Sequence, residues 1–232
     1  MKILSECFNC FQNKDSIFYM LTEEQKKRLM QNVSCINYKT NEVIFKEGFK
    51  PTGLIVLAKG KARIYKEGIG GREQILRLIK PGQFIGFRAL FAGEYYNASA
   101  SALEESTICV IDKNLFLSMV KENNNLAIAI IKLFAEELGE AENKIISLTQ
   151  KHLRGRLAES LLILADTYGF EEDGKTLDIR LSREALANLS NMTTSNAIKT
   201  LYEFKNEGII EIDGKKIKII NRPKLENISA MG

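Results

Sequence analysis

Residues 181–204, LSREALANLSNMTTSNAIKTLYEF, followed by IIEIDGKKIKII at 209–220, decide how this chain is to be read. The first stretch reads as two short helices joined by a tight turn. Ser182 is a good N-cap for a helix running to about Leu189, and Ala187 is small where two helices must cross closely. Asn191 falls at the turn, where a left-handed backbone favours Gly and tolerates Asn next best. Thr193 or Thr194 caps the second helix and Gly208 ends it. The second stretch reads as a strand, an Asp213-Gly214 turn and a basic return strand. Together they outline a winged helix-turn-helix, whose second helix is sized for the DNA major groove.

The face that such a helix presents would be Thr194, Ser195, Asn196 and Lys199. These side chains donate and accept hydrogen bonds to base edges and phosphates, but no Arg stands among them to make a bidentate guanine contact. Ser182, Arg183 and Thr193 flank that face, and Lys215 and Lys216 on the wing complete the candidate DNA-binding set. Lys218, Arg222 and Lys224 extend the basic cluster, while Glu171, Glu172 and Asp173 lie well upstream in sequence. Positive charge is therefore expected to be local, although the net charge is only +4.

The 232 residues suffice for two domains, each with its own core. No apolar run approaches the ~20 residues of a membrane span, and MKILSECFNCFQNKDS lacks the apolar core of a signal peptide, so no membrane association and a cytoplasmic location are expected. In that compartment four cysteines read as free thiols or metal ligands. The single histidine, His152, leaves no Ser/His/Asp or Cys/His set, and no phosphate-cradling Gly-Lys motif occurs. An enzyme is not expected.

Residues 21–34 read as a short amphipathic helix capped by Thr22. From about 36 to 112, short runs of β-formers (EVIF, GLIVLA, KARIYK, QILRLI, STICVI) alternate with glycine turns, the texture of a β-sandwich or jelly roll. From 125 to 148 the pattern becomes helical. Phe134, Leu138, Ala141, Ile145 and Leu148 repeat at spacings of 4, 3, 4 and 3, an a/d seam opposite a polar face, and so form the expected dimer interface. Gly155, near the start of the next helical stretch, marks the expected hinge. The fold class is thus α+β, with an N-terminal helix and β-roll over 1–124, a dimerisation helix and hinge over 125–150, and a winged helix-turn-helix over 151–232.

This order of parts resembles the CRP/FNR family of bacterial transcription regulators from about Cys7 to Ile220, and KPGQFIGFRALFAG at 80–93 resembles the family's roll motif around the effector pocket. The resemblance implies a cyclic-nucleotide-binding-type roll and a homodimer on a pseudo-palindromic double-stranded operator, with RNA polymerase as a further partner if the protein activates. It also implies a pocket formed by Gly86, Phe87, Arg88, Asn97, Ala98, Ala141 and Glu142. The cyclic-AMP branch places a Glu after the roll glycine and an Arg-Ser pair for the cyclic phosphate; Phe87, Asn97 and Ala98 stand there instead. Its Thr-Ser pair for adenine is replaced by Ala141 and Glu142. Without the Arg–phosphate contact, control by cyclic AMP is not expected.

The N-terminus resembles the FNR branch, which carries a [4Fe–4S] cluster on two Cys separated by two residues, a third Cys six positions on, and a fourth in a later roll strand. Cys7 and Cys10 match the pair and Cys109 the distant ligand, but Ser16 stands at the third position. Cys7, Cys10 and Cys109 are therefore candidates for a cluster or a thiol redox pair, with an intact iron–sulfur cluster not expected and the cofactor left open. Cys35 fills the gap only if the fold brings it close. The alternative function is a cyclic-nucleotide-type regulatory module acting on a protein partner.

Overall fold

The computed structural model describes Cys7, Phe11 and residues 16–232. The chain divides into two compact units, the first running to residue 67 and resuming over 76–138, the second taking 68–75 and 139–232.

In the first unit, Ser16 caps a 3-10 turn, Ile17–Met20, by accepting from the Phe18 N–H. Helix α1 (Glu23–Gln31) starts at a reciprocal capping box between Thr22 and Gln25. It ends three residues short of the expected 34, because Val33–Tyr38 is taken up as strand β1. The roll follows as β2 (Val43–Phe45), β3 (Gly53–Lys59), β4 (Ala62–Glu67), β5 (Glu73–Ile79), β6 (Phe84–Ile85), β7 (Ser99–Ala102) and β8 (Ser106–Asp112). These form two four-stranded sheets, ordered β1-β8-β3-β6 and β2-β7-β4-β5. Helix α2 (Phe87–Ala92) sits inside the roll motif, and α3 (Lys113–Glu122), capped by Asp112, leads to α4 (Asn124–Gln150).

Two apolar clusters hold this unit. Between the sheets lie Ile55, Leu57, Ala62, Ile79, Ile85, Ala100 and Ile108. Outside β1-β8-β3-β6, a second cluster joins Phe18, Leu29, Phe84, Phe87 and Phe116 to Leu126 and Ile130 of α4. The rings meet edge to face, as between Phe18 and Phe84 with centroids 5.5 Å apart. Each fully buried side chain of this size contributes roughly 1.5–3 kcal/mol, so α4 is anchored to the roll by its first two turns.

The seam expected on α4 is corrected by this packing. Phe134 turns inward, its ring 4.8 Å from that of Phe87 and 5.6 Å from that of Phe91. The large apolar residues left exposed on α4 are Ile128 and Ile146 and, most exposed, Ile131, Leu138 and Ile145, the last three at 66%, 63% and 62% of their full accessibility. Those three stand seven residues apart, which is one stripe of a helix. Ala141 is exposed beside them and Leu148 is half-buried. The aromatic at 134 satisfied the spacing but was claimed by the roll.

The second unit contains α5 (Leu153–Tyr168), α6 (Arg183–Leu189), α7 (Thr194–Asn206), strands β9 (Ile210–Asp213) and β10 (Lys216–Ile219), and α8 (Arg222–Met231). Leu157, Leu161, Leu164, Leu186, Leu201, Phe204, Ile217 and Leu225 are buried in it. The expected break near 151–155 falls at Lys151-His152, but Gly155 is not its pivot: it lies buried within the first turn of α5. A Cβ on Gly155 would come 2.5 Å from the backbone carbon of Gly232, so this glycine permits close packing rather than bending.

Candidate nucleic-acid interface and thiol cluster

The helix-turn-helix forms by local rules. Ser182 Oγ accepts from the Ala185 N–H and starts α6, while Asn191 takes up the left-handed turn at φ 50°. Thr193 Oγ1 then accepts from the Asn196 N–H and starts α7. Buried Ser190 donates to the Leu186 carbonyl or pairs with Ser160 Oγ at 2.8 Å, tying the turn to α5. The far end of α7 is held by Arg154, which forms a two-pronged ion pair with Glu207 at 2.8 and 3.0 Å and lies over the Phe204 ring. That guanidinium holds the Glu207 carboxyl below its usual range.

On α7, Thr194, Ser195 and Lys199 are exposed and Asn196 is half-buried; Thr193 is exposed at the cap. Two further exposed residues were not singled out by the sequence reading, Ile198 and Tyr202. Their signal was the period of α7: they lie four and eight positions after Thr194, and large apolar residues there have no core to enter. With Lys199 they give the leading face a mixed apolar and polar character, suited to thymine methyls as well as hydrogen-bonding edges.

The wing is displaced by one residue from expectation. Asp213 pairs opposite Lys216, so the two-residue loop is Gly214-Lys215. Gly214 has φ 54° and Lys215 is not left-handed, the pattern of a turn that needs Gly at its first central position. Arg183 holds this loop, donating from Nη2 to the Gly214 carbonyl at 2.7 Å, while its Nη1 is buried without a hydrogen-bond partner. Ser182 and Arg183 thus serve the module's own geometry.

The acidic segment 171–173 is remote in sequence but folds onto the wing. Thr176 bridges to Lys218, Lys216 Nζ pairs with Glu171 at 2.7 Å, and Lys218 Nζ lies 3.6 Å from Asp173. Asp173 accepts from the Thr176 and Lys175 N–H groups, which holds its carboxyl well below the usual range. The expectation of an unopposed basic wing is corrected: Lys216 is half neutralised in place, and Lys215 at the tip is the exposed wing cation of the candidate set.

In the roll, several of the residues expected around an effector are engaged within the protein. Gly86 is left-handed at φ 69°, and a Cβ there would meet the rings of Tyr96 at 2.6 Å and Phe45 at 2.8 Å. Those two rings stack 3.7 Å apart. Burial pushes the Tyr96 phenol up to about 12. Phe87 packs against the Phe84 and Phe134 rings. Arg88 pairs on the surface with Glu94 at 2.9 Å. Asn97 is exposed and its carbonyl accepts from Lys66, whereas Ala98 is buried. Ala141 and Glu142 are exposed positions of α4 beyond the first unit.

The fold brings Cys7 and Cys109 of the resemblance together and adds Cys35 to them. Cys10 lies outside the described residues. Ser16, at the third ligand position, uses its oxygen as a helix cap. Cys35 instead stands directly opposite Cys109 across β1 and β8, and both sulfurs converge on that of Cys7, all three within 4.8 Å of one another. Cys7 Sγ is in contact with both Cys35 Sγ and Cys109 Sγ.

Two family models match the chain: a cyclic nucleotide-binding domain over residues 35–123 and a Crp-like helix-turn-helix domain over 155–228. Among curated proteins, the chain is 24% identical over 198 residues to a CRP-like cAMP-activated global transcriptional regulator of Mycobacterium tuberculosis, covering 85% of this chain and 88% of that one. It is 28% identical over 172 residues to the anaerobic regulatory protein of Bacillus subtilis, covering 73% and 72%. Among solved structures, a CRP/FNR-family transcriptional regulator of Thermus thermophilus superposes with a TM-score of 0.72 at 25% identity, over 85% of this chain and 98% of that one. No helix among the described residues is long and apolar enough to cross a membrane.

Proposed function

Since the chain belongs to the CRP/FNR family of transcription regulators, we propose that it acts as a cytoplasmic homodimer that reads a pseudo-palindromic operator under control of a signal other than cyclic AMP. The observation that carries this reading is the leading face of α7, where Thr194, Ser195, Ile198, Lys199 and Tyr202 stand exposed on a helix fixed at both ends. Asn196 and the cap residue Thr193 flank this face, Lys215 adds a phosphate contact from the wing, and Ser182 and Arg183 hold the module in shape. The match of residues 155–228 to a Crp-like helix-turn-helix favours this over a module acting only on a protein partner.

The pairing surface in this reading is the Ile131, Leu138 and Ile145 stripe, with Ala141 beside it. Two copies related by a two-fold axis would present their α7 helices to half-sites about one helical turn apart, roughly 34 Å. The division into a sensing roll up to 124, a pairing helix over 125–150 and a DNA-binding part from 151 follows that mechanism. The signal is argued against cyclic AMP by the Phe45–Tyr96 stack over Gly86 and by the engagement of Arg88 with Glu94, with Asn97 and Ala98 where an Arg-Ser pair would hold a cyclic phosphate. An effector acts here only through its differential affinity for the DNA-competent arrangement. RNA polymerase is a further partner if the protein activates. Mobility-shift assays on promoter fragments from the source genome test the whole reading. A retarded band of dimer stoichiometry is expected, and no shift under aerobic, anaerobic and reducing conditions would sink it.

A further inference from the structure

We infer that Cys7, Cys35 and Cys109 form a buried binding site for one thiophilic metal ion of the zinc class. The proposal does not depend on DNA binding. Three observations carry it. The three Sγ atoms lie within 4.8 Å of one another, with Cys7 Sγ in contact with both Cys35 Sγ and Cys109 Sγ, so all three converge where one ion can be shared. Two of the three come from a rigid support, because Cys35 and Cys109 are register partners on adjacent antiparallel strands. Cys7 and Cys109 are fully buried in the apolar cluster that holds Phe18, Leu21, Val56 and Ile111, and Cys35 packs against it.

Cys7 Sγ meets both other sulfurs, whereas divalent sulfur in a disulfide takes one partner, so a Cys7–Cys109 bond would leave Cys35 without a role. An ion engages all three. Each thiol that binds releases its proton to solvent, so a divalent ion with three thiolates carries a net charge of −1, with no change in oxidation state. The fourth coordination position falls to a donor outside this set. Placement matters for regulation, because the same apolar cluster contains Phe116, Leu126 and Ile130, the residues that seat α4 on the roll. Loading or emptying the site changes the packing beneath that helix.

The test uses the full chain, purified anaerobically without a metal-binding tag. Elemental analysis is expected to give one zinc-class ion per chain. Titration of the metal-free protein with Co(II) should give thiolate-to-cobalt charge-transfer absorption that saturates at one equivalent. Cys35→Ser is the first variant, since Cys35 is the least buried of the three, and binding should fall from one equivalent to none. Should that variant fail to fold, chelator treatment of the wild-type protein gives the same answer, with release of one ion and a lowered melting temperature that added Zn(II) restores. The proposal is overturned by a protein that takes up neither zinc nor cobalt, by iron with matching acid-labile sulfide, or by a Cys7 disulfide in acid-quenched alkylated protein.

Discussion

Arg183 at the start of α6 donates to the carbonyl of Gly214 at the tip of the wing, 31 residues away, at 2.7 Å. This side chain ties the tip of the hairpin to the helix pair. Removing it in Arg183→Ala loosens the wing tip. We expect a loss of roughly 1–2 kcal/mol of stability, the usual size for a charged hydrogen bond that is half in water, and a larger loss of operator affinity. Chemical denaturation and fluorescence anisotropy on labelled DNA measure the two separately.

Lys199 occupies the exposed face of α7 and makes no contact that supports the fold. Lys199→Ala should weaken operator binding by about 1–3 kcal/mol if the ammonium contacts a base edge, with melting temperature and oligomeric state unchanged. Unaltered affinity in a quantitative binding curve would move recognition to other residues.

The two halves of the seam should respond differently. Leu138→Glu places a charge in the exposed apolar stripe and is expected to leave a folded monomer, seen by light scattering after size exclusion. Phe134→Ala instead removes a ring packed against Phe87 and Phe91. It should destabilise the roll by about 2–4 kcal/mol, lowering the melting temperature before it touches the pairing face.

Gly86 has no room for a side chain and a backbone that resists one. Gly86→Ala should cost about 1–3 kcal/mol through the left-handed φ and the displaced Tyr96 ring, measured as a shift in urea midpoint.

Tyr96 should ionise late, near pH 12. A folded-state value raised above the ordinary 10 means that its contribution to stability is complete below pH 10 and is lost as pH rises from 10 towards 12. Phenolate absorbance should show a late step that Tyr96→Phe abolishes. A single step near pH 10 in the native protein counts against the buried stack.

Much of this fold was legible because it is written in local rules. Asn191 at a left-handed turn, Thr22, Ser182 and Thr193 at helix starts, and the strands between glycine turns follow from backbone sterics and from which side chains can reach an orphan N–H. What was not legible depends on partners distant in sequence. Phe134 fits a heptad perfectly well, and only the neighbouring Phe87 and Phe91 rings decide that it turns inward. Gly155 reads as a helix breaker until the Gly232 backbone is seen beside it. The wing turn moved by one residue because strand register is set along the whole hairpin rather than by the Asp-Gly dipeptide. Cys35 carried no motif at all. Its meaning came from the strand pairing that sets it against Cys109.

The acidic segment folded against the wing has a thermodynamic consequence. Lys216 and Lys218 already hold carboxylates of this chain, so a phosphate reaching them exchanges one anion for another. Little salt is set free in that exchange, and the entropy of counterion release, which drives most indiscriminate attachment to DNA, is correspondingly small. In the proposed reading these two lysines would then add little to attachment on random duplex, and the α7 face would carry more of the choice of site.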